Sequence, residues 1–80
     1  MPKAKSSRDR GNLLNLLKQV RSEAGLTQAA MAKKLGQPQS YVSKYESGER
    51  RLDVVELKHV CQAAEISLTE FIQKLEKGEA

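Results

Sequence analysis

Apolar residues recur at helical spacing in five successive stretches, divided by short polar segments that carry glycine, proline or capping residues. In the first stretch Leu13, Leu17, Val20 and Ala24 form one stripe, widened by Leu14 and Leu16, and Gly25 supplies the stop. Thr27 is placed to cap a second helix with Met31, Ala32 and Leu35 on its inner face and Gly36 at its end. Pro38 suits the first turn of a third helix, where a missing N–H costs little; Val42 and Tyr45 face inward and Gly48 closes it. After the loop "ERRL", Asp53 and Glu56 have the spacing of a capping box, and Val54, Leu57, Val60, Cys61 and Ala64 follow as the fourth inner face. Ser67 and Glu70 have the spacing of a second capping box, ahead of Leu68, Phe71, Ile72 and Leu75. No segment alternates as a half-buried strand does, and no repeat is found, so the pattern predicts an all-α chain of five helices. The periodicity divides the chain into a flexible basic arm over 1–10, a helical domain over 11–77 and a tail over 78–80.

Polar positions are as informative in the third helix. With Val42 toward the core, Tyr45, Glu46 and Pro38 fall on the same side. Ser40, Ser43, Lys44 and Ser47 point away, Tyr41 lies on the flank and Gln39 sits at the N-terminal tip. Long Glu and Lys pairs would support an exposed helix better than serine does. Short polar side chains instead let a helix backbone approach a partner closely while offering donors and acceptors, and glutamine can pair with both N6 and N7 of adenine in the major groove. On composition alone a bland solvated face fits equally well.

Charge sharpens this picture. The 80 residues carry a net charge of +4. Residues 1–11 and 28–52 are basic and residues 53–80 acidic, as in a protein that offers phosphate one surface only, although ordinary surface charge also fits a total of +4. A chain this short forms one small domain with a modest core. Its single cysteine, Cys61, rules out an internal disulfide. Cys61 lies on an apolar helix face with no His or Cys at ligand spacing, which points to a core thiol and no metal. His59 stands alone and is expected to be exposed. The apolar runs are far too short for a membrane span and no signal peptide is apparent, so a cytoplasmic protein, on the nucleoid when bound to DNA, is expected.

From about Leu13 to Leu75 the chain resembles the lambda-repressor-like helix-turn-helix family, the XRE/Cro class of regulators. The resemblance rests on "VRSEAGLTQ", with Arg21, Gly25, Leu26 and Gln28 each in place. It rests also on Ala32 at the tight helix crossing, Gly36 in the turn, Val42 and Tyr45 inward, and "YESGERR" after them. It implies a compact five-helix DNA-binding domain. By position it implies that Gln39, Ser40, Ser43 and Lys44 read base edges, and that Gln28, Arg21, Tyr41, Arg50 and Arg51 meet phosphate; Lys44 could bind phosphate instead. Arg21 and Glu46 resemble a family ion pair that orients the reading helix. Lys33 and Lys34 add long-range attraction. Ala30 stands where the family often has Glu, which removes the return bond of a capping box at Thr27. Glu65 stands where Gly is common, which predicts a less sharply defined end to the fourth helix.

The function expected is a sequence-specific regulator of transcription, in its simplest form a repressor, that binds a double-stranded DNA operator as a homodimer. Leu68, Phe71, Ile72 and Leu75 are the candidates for the dimer contact, although some of this surface must close the monomer core. An antitoxin with a toxin partner, or a protein-interaction module that does not read DNA, are the alternatives. Neither a catalytic constellation nor a cofactor motif is found, so no enzyme and no cofactor are expected.

Overall fold

The computed structural model describes residues 3–78, with side chains from Arg8 onward. The order is α1 (Lys3–Glu23), α2 (Gln28–Leu35), α3 (Gln39–Ser47), α4 (Val54–Ala63) and α5 (Leu68–Lys77). The five expected helices are present, and no strand occurs among the described residues. α2 and α3 pack on each other, α1 packs on α3 and α5, and α4 packs on α2 and α5. Every helix therefore contributes to one core, built around Leu16, Leu17, Met31, Val42, Tyr45, Val60 and Phe71.

The start of α1 differs from expectation. The helix runs back through the stretch read as an arm, as far as Lys3, while Met1 and Pro2 lie outside the described residues. Residues 3–10 have no apolar stripe to reveal a helix, but Lys, Ala and Arg are good helix formers, and here they extend a helix whose later turns are anchored in the core. Arg10 helps fasten it: Nη2 donates to the carbonyl of Gly48 at 3.4 Å.

The ends of the helices follow local chemistry. Thr27 accepts from the N–H of Ala30 at 3.0 Å. Asp53 and Glu56 form both halves of their capping box, at 2.7 and 2.9 Å. At Ser67 only the forward half forms, from the N–H of Glu70 at 3.0 Å, so the second box is a single cap. Pro38 is the N-cap residue of α3 and lies just outside its first turn.

One expectation about an inner face and part of the dimer-contact expectation are corrected. Val54 is 66% exposed, because it stands at the margin of the α4 face that turns Leu57, Val60 and Cys61 to the core. Phe71 is fully buried in the core, and Leu68 and Leu75 pack against that core from its margin. Of the four proposed dimer contacts only Ile72 stands exposed. The amphipathic face of α5 serves chiefly to close the monomer.

The end of α4 is sharper than expected. Glu65 adopts φ 59°, the left-handed conformation, and the N–H groups of Glu65 and Ile66 bond the carbonyls of Gln62 and Cys61 at 3.1 and 3.0 Å. This is a complete Schellman cap formed without glycine. Lys34 adds a further bond, its Nζ donating to the Ala63 carbonyl at 2.7 Å. The left-handed conformation costs an L-residue about 1–2 kcal/mol, partly offset because glycine is freer in the unfolded chain. The Lys34–Glu65 contact is long, at 3.8 Å, and exposed, so it contributes little. Glu65→Gly should therefore raise the melting temperature by a few degrees, at about 4–8 °C per kcal/mol for a domain this small. A thermal melt checks this, and a lower melting temperature would show that Lys34–Glu65 outweighs the backbone strain.

Candidate nucleic-acid interface

α3 divides into two faces. Val42, Tyr45 and Glu46 are buried, whereas Gln39, Ser40, Lys44 and Ser47 are exposed and Ser43 is half-buried. The residues expected to read bases thus share the outer side of one helix. Ser43 and Ser47 turn their hydroxyls onto the helix itself, donating to the carbonyls of Ser40 and Lys44 at 3.2 and 3.1 Å. The Ser43 oxygen is left able to accept, whereas the Ser47 oxygen already accepts from the N–H of Glu49 at 3.4 Å. Gln39 and Ser40 have no side-chain hydrogen bond within the described residues, and Lys44 has no ion-pair partner there.

The inner side of α3 is fixed by a polar clasp. Glu46 is 2% exposed, and such a carboxylate is stable only if paired. Arg21 grips it with two N–H groups, Nε to Oε2 at 2.7 Å and Nη2 to Oε1 at 3.1 Å. The same guanidinium donates through Nη1 to the carbonyl of Leu26 at 2.9 Å. One side chain from α1 thereby holds the turn before α2 and the last turn of α3. Its hydrogen bonds to Glu46 raise the proton affinity of the guanidinium above its already high value.

Gln28 joins the clasp. Its Nε2 donates to Glu46 Oε1 at 3.0 Å, which connects the start of α2 to the end of α3. In the protein alone its amide is therefore turned inward to the carboxylate. One amide hydrogen remains for another acceptor.

The loop from Gly48 to Asp53 is likewise pinned. Gly48 has φ 91°, a conformation that calls for glycine, and a Cβ there would press on the Leu14 side chain at 3.1 Å. Arg50, expected at phosphate, is folded back onto the protein. It lies 4.7 Å above the Tyr41 ring and pairs with Glu56 at 2.8 Å. The reason is a three-way match: a ring face, a carboxylate and the Arg51 carbonyl all meet one planar guanidinium. Tyr41 is consequently a platform, packed edge-on against Tyr45 at 5.6 Å. The Glu56 carboxyl is held below its usual range, first by the N–H of Asp53 and then by Arg50. Arg51 has no such partner and stays exposed.

The free cations on this side are fewer than the sequence suggested. Among the described residues Arg10, Arg21, Lys34 and Arg50 are all engaged within the fold. Lys33, Lys44 and Arg51 are exposed and unpaired. Glu56 was not foreseen as part of the site, and Tyr41, expected at phosphate, serves instead as the platform for Arg50. Glu56 was legible only as a cap, and nothing in the sequence periodicity joins it to Arg50 across the loop. Elsewhere, His59 is exposed and Cys61 fully buried, as expected, and burial pushes the thiol up to about 11. The Tyr45 hydroxyl is buried without a hydrogen-bond partner among the described residues, and burial raises its proton affinity. No helix among the described residues is long and apolar enough to cross a membrane.

Comparison with known proteins agrees with this geometry. The helix-turn-helix family model matches residues 17–71. An XRE-family-like protein from Pseudomonas syringae pv. tomato is 43% identical, with 94% of this chain and 92% of that chain covered and a TM-score of 0.86. The clp gene regulator ClgR from C. glutamicum, at 24% identity, shares the fold, with 90% and 92% covered and a TM-score of 0.76. A comparison with curated protein sequences finds no significant match. Sequence family, helix order and the two-faced α3 agree, and the chain belongs to the XRE-like helix-turn-helix family of DNA-binding transcriptional regulators.

Proposed function

We propose that the protein binds a specific double-stranded operator as a homodimer and represses transcription by occluding a promoter. In this reading α3 enters the major groove, where Gln39, Ser40 and Ser43 meet base edges and Lys44 meets a base or the adjoining phosphate. Arg51 and the remaining amide hydrogen of Gln28 take backbone phosphates on either side. The observation that carries the reading is the division of α3: outward side chains that do nothing for the fold, on a helix whose inward side is locked by a buried ion pair. One such helix reads only a few base pairs, so two half-sites about one helical turn (~34 Å) apart supply the missing selectivity.

Selection of bound sites from a random duplex library tests this directly. Two-fold symmetric sites are expected, and sites without symmetry would argue against a homodimer. Arg51→Ala should then weaken binding to all sequences alike, since a phosphate contact carries position and not base identity. Losing one such contact should flatten the slope of log affinity against log salt by about 0.9. An unchanged slope would place Arg51 away from the DNA.

A further inference from the structure

We propose that Val54 and Val55, on the first turn of α4, are the surface by which two copies of this chain meet. The inference rests on the homodimer reading above and gives it a location. Among the described residues the exposed large hydrophobics are Val54 at 66%, Val55 at 57% and Ile72 at 36%. The two valines are adjacent, at the first two positions of a helix already closed by a full capping box. Nothing in the monomer rewards them there. β-branched side chains lose rotamer freedom in a helix, and an exposed site returns no packing in exchange. A local preference broken without gain inside the fold marks a surface used outside it.

Charge around the pair selects the occupant. Asp53 precedes the valines, and Lys58 follows on their face, four residues from Val54 and three from Val55. Both are exposed, and neither has an ion-pair partner among the described residues. A two-fold contact places a patch against its own copy, so the patch must complement itself. Crossing two α4 helices antiparallel about an axis near Val55 and Glu56 sets valine on valine. It also sets each Asp53 toward Lys58 of the other copy. Duplex DNA is a poorer occupant, because Asp53 repels phosphate and valine cannot donate to it. The patch also lies beside the reading helix: Glu56, next to Val55, holds Arg50 on the Tyr41 ring of α3. Two copies joined here would carry their α3 helices in a fixed relation. Two valines a side make a contact far smaller than a stable interface, so in free solution it forms only transiently, where oxidation can trap it, and it persists when DNA brings two copies together.

Two measurements test this. In the first, Val55→Cys and Ile72→Cys variants are oxidised without DNA; native Cys61 is fully buried in both. A two-fold contact puts residue 55 near its own mate, so Val55→Cys should form covalent dimer several-fold faster than Ile72→Cys. Equal rates, or faster cross-linking at Ile72, would overturn the proposal whether or not the chain reads DNA. In the second, the double variant V54S/V55S is titrated on duplexes holding one or two selected half-sites, with helical content checked by circular dichroism. Affinity for a single half-site should be unchanged. Cooperative binding of the second copy should fall by about fivefold or more, the loss of roughly one apolar side-chain contact. Lys58→Glu should lower it as well, by facing Asp53 of the other copy with a like charge. An equal loss on single and double sites would assign the valines to DNA and overturn the dimer contact.

Discussion

Arg21→Ala should be among the most destabilising single substitutions in this domain, and Glu46→Ala should cost less. Removing one partner of a buried pair typically costs about 3–5 kcal/mol, because the other charge is left unsolvated. The two partners are not equally exposed: Arg21 is 16% accessible and Glu46 only 2%. Without Arg21 the carboxylate keeps one donor, Gln28, and cannot reach water. Without Glu46 the guanidinium keeps its bond to the Leu26 carbonyl and can turn outward. Small domains are stable by only about 5–15 kcal/mol, so the Arg21 change consumes a large part of the total. At about 4–8 °C per kcal/mol the melting temperature should fall by more than 10 °C. The double variant should lose less than the sum of the two single losses, which a double-mutant cycle on thermal or urea unfolding measures. Strict additivity would mean that the pair contributes only through its separate members.

The same clasp connects stability with recognition. Glu46 stands at the last turn of α3 and is held by α1 and by the start of α2. Loosening it frees the inner side of the helix whose outer side carries Gln39 to Lys44. Arg21→Ala should thus lower affinity for every duplex tested while leaving the order of preference among them intact. Loss of a base reader should do the opposite. This contrast separates orientation of the helix from readout by it.

Much of this architecture was legible in the chain because it is local. A glycine after each of the first three apolar stripes, Thr27 before the second and Asp53 with Glu56 before the fourth act within a few residues of themselves, and the structure bears them out. What escaped is what depends on distant partners. Arg50 reads as one more loop cation until Glu56 and Tyr41 are seen around it. α5 reads as amphipathic whether its face closes a monomer or joins a dimer, and only the burial of Phe71 decides between them. Val54 fits the helical stripe of α4, yet it stands at the margin of that stripe, where the neighbours that cover Val60 and Cys61 leave it exposed. Residues 3–10 lack any stripe, so a helix carried forward from a packed segment leaves no periodic trace there. Glu65 was correctly singled out as unusual, but its consequence is strain in a well-formed cap and not a frayed end.

Gln39→Ala and Ser40→Ala should leave the melting temperature nearly unchanged and alter which DNA is bound. Both side chains are exposed and neither caps α3, whose N-cap residue is Pro38 and has no side-chain bond. Substitutions at such positions usually change stability by less than about 0.5 kcal/mol. If the outer face of α3 meets base edges, each change should erase discrimination at particular operator positions. The loss should be about 1–3 kcal/mol where a bidentate contact disappears, with Gln39 the larger because its amide can both donate and accept at adenine. Non-specific affinity should persist, since Lys33, Lys44 and Arg51 keep their charge. Measuring each variant on the selected site and on every single-base change within it separates three results. A loss confined to one or two positions identifies a base reader. A uniform loss across all sequences would reassign the residue to the phosphate backbone, and no loss at all would mean that α3 does not enter the groove.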